Sequence, residues 1–158
     1  MKDVSQKIDQ IYLRFAEHGD IEDLYKWRND EETRRFSFNV NPITFEEHKD
    51  WFLKSLSNPK RSIFIIFDKN FKKLGQIRFD KEKDQAEVDI NINPEYRGKG
   101  IGALALIKTS QFYLNNFEVE QLIAKVKNEN IASIKAFKKA NFKIHKRFED
   151  YIELRFKK

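Results

Sequence analysis

The chain predicts an α/β (α+β) fold: one mixed, mostly antiparallel sheet of six to seven strands with helices on both faces. Three observations carry that expectation. Three strand-like segments follow one another between 61 and 92 with only short turns between them, which is the pattern of an antiparallel meander. A strand, a long helical segment and another strand then occupy 85–127, which is the pattern of a crossover between parallel strands. The chain has 158 residues with only five glycines and three prolines, no repeat and no linker-like stretch, so a single domain over 1–158 is expected.

The elements follow in order. Gln10 to Ala16 (QIYLRFA) alternates as a strand does. Asp20 to Asn29 reads as a helix capped by Asp20, with Ile21, Leu24 and Trp27 or Arg28 along one stripe. Asp30 to Phe38 is charged and reads as a second short helix. Thr44-Phe45-Glu46-Glu47 has the form of a capping box, in which each side chain satisfies the other's backbone donor. Phe45, His48, Phe52 and Leu56 of the helix that follows fall on one face. Arg61 to Asp68 (RSIFIIFD) is almost continuously apolar, as a central strand is, whereas Lys73 to Asp80 and Gln85 to Ile92 alternate. Gly100 to Phe117 is helical, with Ile101, Leu104, Ala105, Ile107 and Phe112 offered to the core. Glu120 to Lys127 reads as a strand, Asn130 to Ala140 as a helix with an asparagine cap, and 142–148 and 151–156 as two final strands.

Composition narrows the function classes. There is no cysteine, so thiol catalysis, disulfides and cysteine metal sites are excluded. Three scattered histidines argue against a histidine metal site, and none is expected. No apolar run is long enough for a membrane span, and the N-terminus MKDVSQKIDQ lacks the apolar stretch of a signal peptide, so a cytoplasmic location is expected. The net charge of +6 favours anionic partners. Basic and acidic residues are interleaved without an arginine-rich block, so an anionic small molecule explains the bias without nucleic acid.

The most informative stretch is Asn93 to Gly102, NPEYRGKGIG, where a strand gives way to a helix through three glycines. Glycines turn sharply and let the backbone approach a ligand closely. The first N–H groups of a helix have no internal partner and carry partial positive charge. Pyrophosphate suits that environment, and Arg97 and Lys99 add full charges. A phosphate-binding P-loop needs Gly-Lys-Ser/Thr, which is missing. The spacing Gly98-x-Gly100-x-Gly102 is not that of a dinucleotide-binding turn.

Arg97-Gly98-Lys99-Gly100-Ile101-Gly102 resembles the Arg/Gln-x-x-Gly-x-Gly/Ala signature of the GNAT superfamily of acyl-CoA-dependent N-acetyltransferases. The run from Asn130 through Ser133 and Phe137 to Phe142 resembles that family's second element, and the order of strands and helices agrees with the GNAT fold. The resemblance implies acetyl-CoA as cofactor. It places the Ile90 and Ile92 backbone against pantetheine, Arg97, Gly98, Lys99, Gly100, Ile101, Gly102 and Ala103 around the pyrophosphate, and Asn130, Ser133 and Phe137 beside the thioester arm. Trp27-Arg28-Asn29, Arg35 to Asn39, Glu46 to Phe52 and Gly75 to Phe79 are similar to GNAT enzymes of nonulosonic-acid pathways. Those act on a nucleotide-linked 4-amino sugar on the way to pseudaminic or legionaminic acid.

That resemblance implies direct attack of a neutral primary amine on the thioester, with a carboxylate to take the proton. Glu87 is the expected base and Asp89 the reserve. Family members often carry a tyrosine where this chain has Phe137, which cannot donate a proton, so either another group does it, with Tyr151 the nearest, or the thiolate leaves unassisted. Arg28, Asn29, Arg35, Phe38 and His48 are the expected acceptor contacts, because diphosphates want arginine forks and bases want aromatic planes. The expected partner is a small-molecule amine; neither nucleic acid nor membrane is expected, and a homodimer is left open. The alternatives are a protein N-terminal acetyltransferase and a non-catalytic CoA-binding module.

Overall fold

The computed structural model describes residues 10–158. In chain order the elements are β1 (Tyr12–Phe15), α1 (Ile21–Asn29), α2 (Glu31–Phe36), α3 (Phe45–Leu56), β2 (Arg61–Phe67), β3 (Lys73–Glu82), β4 (Gln85–Ile92), α4 (Ile101–Asn116), β5 (Gln121–Lys127), α5 (Ile131–Lys139), β6 (Lys143–Arg147) and β7 (Tyr151–Lys157). The seven strands form one sheet in the order β1-β2-β3-β4-β5-β7-β6. Only β4 and β5 pair in parallel, joined through α4 as the strand–helix–strand pattern requires. No helix among the described residues is long and apolar enough to cross a membrane.

Strand periodicity sorts the side chains onto two faces. On one face Phe64, Ile77, Phe79, Val88, Leu122 and Leu154 pack under α4 and α5 and form the main core with Leu106, Tyr113 and Phe137. On the other, Ile63 and Ile65 meet Leu24 and Trp27 of α1 and Phe52 of α3. Helices α1 and α3 thus cover one side of the sheet only over its first strands. From β3 onward the same face carries Arg78, Glu87, Asp89, Lys125, Glu153 and Arg155, and beyond β3 it is left open.

Several local expectations need correction. Asp20 does not cap α1 with its side chain. Its carboxylate is buried and receives Arg14 through both oxygens at 2.8 and 2.9 Å, Lys73 at 2.8 Å and the Glu17 N–H at 2.8 Å. Of the proposed capping box only the threonine half forms: Thr44 Oγ1 accepts the Glu47 N–H at 3.2 Å. On α4 the core face is Leu106, Thr109, Tyr113 and Leu114, while Ile107 and Phe112 are 50% and 44% exposed. The apolar residues of α4 run nearly all round the helix, so spacing alone does not select the face. Arg61–Phe67 is interior as expected, but one place in from the β1 edge rather than at the centre.

Candidate active site

The site begins where two strands part. β4 pairs with β3 along all eight of its residues, from Gln85 to Ile92. With β5 it shares only three positions, and the register ends at Glu87 opposite Ile123. From Val88 to Ile92 the β5 side of β4 therefore presents backbone donors and acceptors to a gap rather than to a strand, and such groups are costly to leave unmet.

The two helices after β4 and β5 close over that gap. Gly98 and Gly100 both hold φ of +77°, a conformation in which a Cβ would collide with the chain. Their backbone turns β4 into the N-terminus of α4, and beyond the adjoining residues no heavy atom lies within 4 Å of where their Cβ atoms would be, so the constraint is the local backbone and not crowding by other elements. Gly102 is different. Its φ is ordinary, and a Cβ there would sit 3.7 Å from Ala136 Cβ and 4.0 Å from Ile92 Cγ1. It marks where α4, α5 and the end of β4 converge. Ile101 buries its side chain and offers only backbone to the loop. Asn130 caps α5 by accepting the Ser133 N–H at 3.2 Å, which puts both residues at the same end of the gap.

Two cofactor-side expectations change. Phe137 is 2% exposed and packs edge-on against Phe142 at 5.0 Å, so its ring is part of the core. Arg97 turns its guanidinium away from the loop, onto Asp30 at 2.6 Å, Glu32 at 2.8 Å and Thr33 at 2.7 Å. Lys99 is the cation that stays with the glycines.

Glu87 stands at the fork on the open face, half-exposed, with Lys125 Nζ 3.9 Å away. A shallow groove of about 290 Å³ runs along it between Asp80, Lys125, Glu153 and Arg155. Asp89 lies two residues further, directly across from Arg78. Burial opposes the charge of Arg78, but Asp89, Asp80 and Glu87 together raise its pKa. Arg28 enters from α1; burial lowers its pKa, Asp89 opposes that, and Arg34 and Arg78 add to it. Among the described residues Arg28 Nη1 has no hydrogen-bond partner.

Of the other acceptor-side residues, Asn29 is a clamp. Its amide donates to Ile43 O at 2.8 Å and its oxygen accepts the Ile43 N–H at 2.9 Å, a two-point bond that ties the end of α1 to Ile43. His48 is also structural. It is 2% exposed, and its Nε2 lies 2.9 Å from the Ile21 carbonyl. A carbonyl only accepts, so Nε2 carries the proton. Arg35 is exposed beside Glu32, and Phe38 is 58% exposed. Phe38 meets Tyr151 edge-on at 5.4 Å, and Tyr151 stacks on Phe148 at 4.5 Å. Tyr151 is four residues along β7 from Arg155, the partner of Ile123. It is therefore roughly 13 Å of strand from the fork. It belongs to an aromatic wall on the open face.

Arg78, Lys125, Glu153 and Arg155 were not anticipated as site residues. Strand alternation does place them on the face of Glu87, but only once the order of strands in the sheet is known.

Comparison with known proteins bears on this geometry. A family model described as an acetyltransferase (GNAT) domain matches residues 10–143. The Bacillus subtilis (strain 168) protein named "Putative phosphinothricin acetyltransferase YwnH" is 29% identical over 137 residues, covering 82% of each chain. Spermidine N-acetyltransferase from Vibrio cholerae, solved with CoA and spermine, superposes with a TM-score of 0.85 at 18% identity, over 94% of this chain and 95% of that one. A domain from Methanocaldococcus jannaschii superposes with a TM-score of 0.83 at 26% identity, over 94% and 99% of the two chains.

Proposed function

Because the chain belongs to the GNAT acetyltransferase family, it is an N-acetyltransferase with acetyl-CoA as co-substrate, and we propose that it acetylates the 4-amino group of a nucleotide-linked amino sugar. The fork between β4 and β5, next to the Gly98–Gly100 turn, carries the donor half of this reading. The pantetheine arm would pair with the free edge of Val88 to Ile92, and the pyrophosphate would rest on the loop N–H groups and Lys99.

The chemistry then falls at Glu87. The amine nitrogen attacks the thioester carbonyl; the N–C bond forms and the C–S bond breaks. Glu87 takes the amine proton directly or through a water. Backbone N–H groups of β4 beyond the fork are placed to stabilise negative charge on the carbonyl oxygen. With an ordinary thiol pKa of about 8.5, CoA leaves without a dedicated acid, so neither Phe137 nor Tyr151 is required.

The acceptor reading is supported by the mixture of charges on the open face. Arg28 and Arg78 suit a diphosphate, and the Phe38–Tyr151 wall suits a base or sugar plane. Asp89, across from Arg78, and Glu87 share that face and would receive the amine.

The test follows free thiol while acetyl-CoA is offered nucleotide-linked 4-amino sugars, spermine, kanamycin, phosphinothricin and short peptides. Turnover is expected with the nucleotide sugars and not with peptides. Turnover confined to peptide N-termini would replace the acceptor reading with protein N-terminal acetylation. Glu87→Gln is expected to lower kcat by about 10²-fold or more, since a general base contributes 10²–10⁴. An unchanged rate and pH profile would remove Glu87 from the mechanism.

A further inference from the structure

Arg97 belongs by sequence to the donor loop, but its charge is used elsewhere. Its Nη2 donates to Asp30 Oδ2 at 2.6 Å and to Thr33 Oγ1 at 2.7 Å, and its Nη1 lies 2.8 Å from Glu32 Oε2. Asp30 in turn caps α2 by accepting the Thr33 N–H at 3.1 Å. Thr33 Oγ1 also reaches Asn91 Oδ1 at 3.3 Å, near the end of β4.

From α2 the contacts continue toward the acceptor side. Ser37 Oγ donates to Thr33 O at 2.7 Å. Arg34 donates to Asn29 O at 3.1 Å and Val40 O at 3.3 Å, and Arg28 donates to Asn39 O at 3.2 Å. Lys127 at the end of β5 reaches Arg35 O at 3.1 Å. The segment these bonds hold includes Phe38.

Helix α2 has six residues and none is buried. A helix that short gains little from its own hydrogen bonds, and without a buried side chain it gains little from packing. Its position is therefore set by polar contacts at its ends. Among these the forked contact of Arg97 stands out, because Arg97 and Asp30 are both partly shielded and charge-assisted pairs of this kind are the strong ones.

We propose that Arg97 is a positioning residue that latches α2, and with it the wall of the acceptor site at 37–43, to the donor loop. Ordering the loop with a donor then orders the acceptor wall. By linkage an acceptor held on that wall strengthens donor binding by the same factor. The catalytic consequence rests on the acetyl-CoA reading above; the latch itself does not.

Hydrogen exchange on the full chain, with CoA as the probe, tests both. In the free protein, Arg97→Gln and the double variant Asp30→Asn, Glu32→Gln are expected to speed amide exchange in 31–43 by about fivefold or more. Arg97→Lys should restore part of the protection. Glu32→Gln alone, at a half-exposed position that endangers no packing, should show a smaller effect of the same sign. CoA is expected to slow exchange in 31–43 in the wild type, but only around 97–103 in Arg97→Gln, while the double variant binds CoA within about threefold of wild type by calorimetry. Unchanged exchange in the free variants would overturn the latch. So would CoA-induced protection of 31–43 that persists in Arg97→Gln, or a tenfold loss of CoA affinity in Arg97→Gln with exchange in 31–43 unmoved. If the wild type bound no CoA, the acetyl-CoA reading would fail, and the free-protein comparison would still decide the latch.

Discussion

At the scale of single residues, chemistry alone does not assign a role; the neighbours do. Three glycines in one motif have two different reasons. Gly98 and Gly100 are required by φ of +77°, whereas Gly102 is in an ordinary helical turn with room for a methyl group against Ala136. Gly100→Ala is expected to cost about 1–2 kcal/mol in stability and to weaken CoA binding. Gly102→Ala should be neutral or gain a few tenths of a kcal/mol in helix propensity. Thermal unfolding and CoA titration of the two variants check this, and equal losses at both positions would contradict it. Gly75 has a third reason: a Cβ there would lie 2.6 Å from Asn91 O, so β3 and the end of β4 approach too closely for any side chain. Arg97, Asn29 and His48 are the converse case. Each carries functional-looking chemistry that the fold has engaged in holding elements together, with partners 14 to 67 residues away for Asn29 and Arg97. No local pattern points to such partners.

At the scale of elements, period and capping located almost every strand and helix. The exceptions arise where local signals are silent about neighbours. α4 is the clearest. Its sequence is apolar on most sides, so the choice between Leu106 and Ile107 is made by the sheet beneath, which buries Leu106 completely and leaves Ile107 half in solvent. Leu106→Ala is therefore expected to cost about 2–5 kcal/mol, and Ile107→Ala well under 1 kcal/mol, in denaturant unfolding. Similar losses would mean that the helix is rotated from the orientation described. The fork between β4 and β5 is also an element-scale fact. Both strands were legible as strands, but strand length does not say where pairing stops.

At the scale of the whole molecule, the charges that hold the first strand, first helix and meander together make stability depend on pH. Burial alone would raise the pKa of Asp20, but Arg14, Lys73 and the Glu17 N–H outweigh it and bring it from 3.8 to about 2. A carboxylate with a lowered folded pKa contributes stability that is complete above its unfolded value and is lost as pH falls toward the folded one. Asp20 thus accounts for about 2 kcal/mol that disappears between pH 4 and 2. Asp20→Asn should be less stable at neutral pH and show a flatter Tm profile across that window; a parallel profile would remove Asp20 as the cause. His48 acts in the same direction at higher pH. Burial lowers its pKa below 6.5, so the folded state resists protonation and stability falls as pH drops below that value. The sequence by itself determined the order of elements, the mixed sheet and the glycine turn, because hydrophobic period, caps and turn glycines act within a few residues; the donor was implied by that turn's resemblance to the GNAT signature. Only the tertiary structure decided which face of the sheet stays open, where β4 and β5 part, and that the Arg97 guanidinium pairs with Asp30 and Glu32. Those outcomes depend on charge pairs and strand contacts between residues far apart in the chain, and such contacts leave no periodic trace in the sequence.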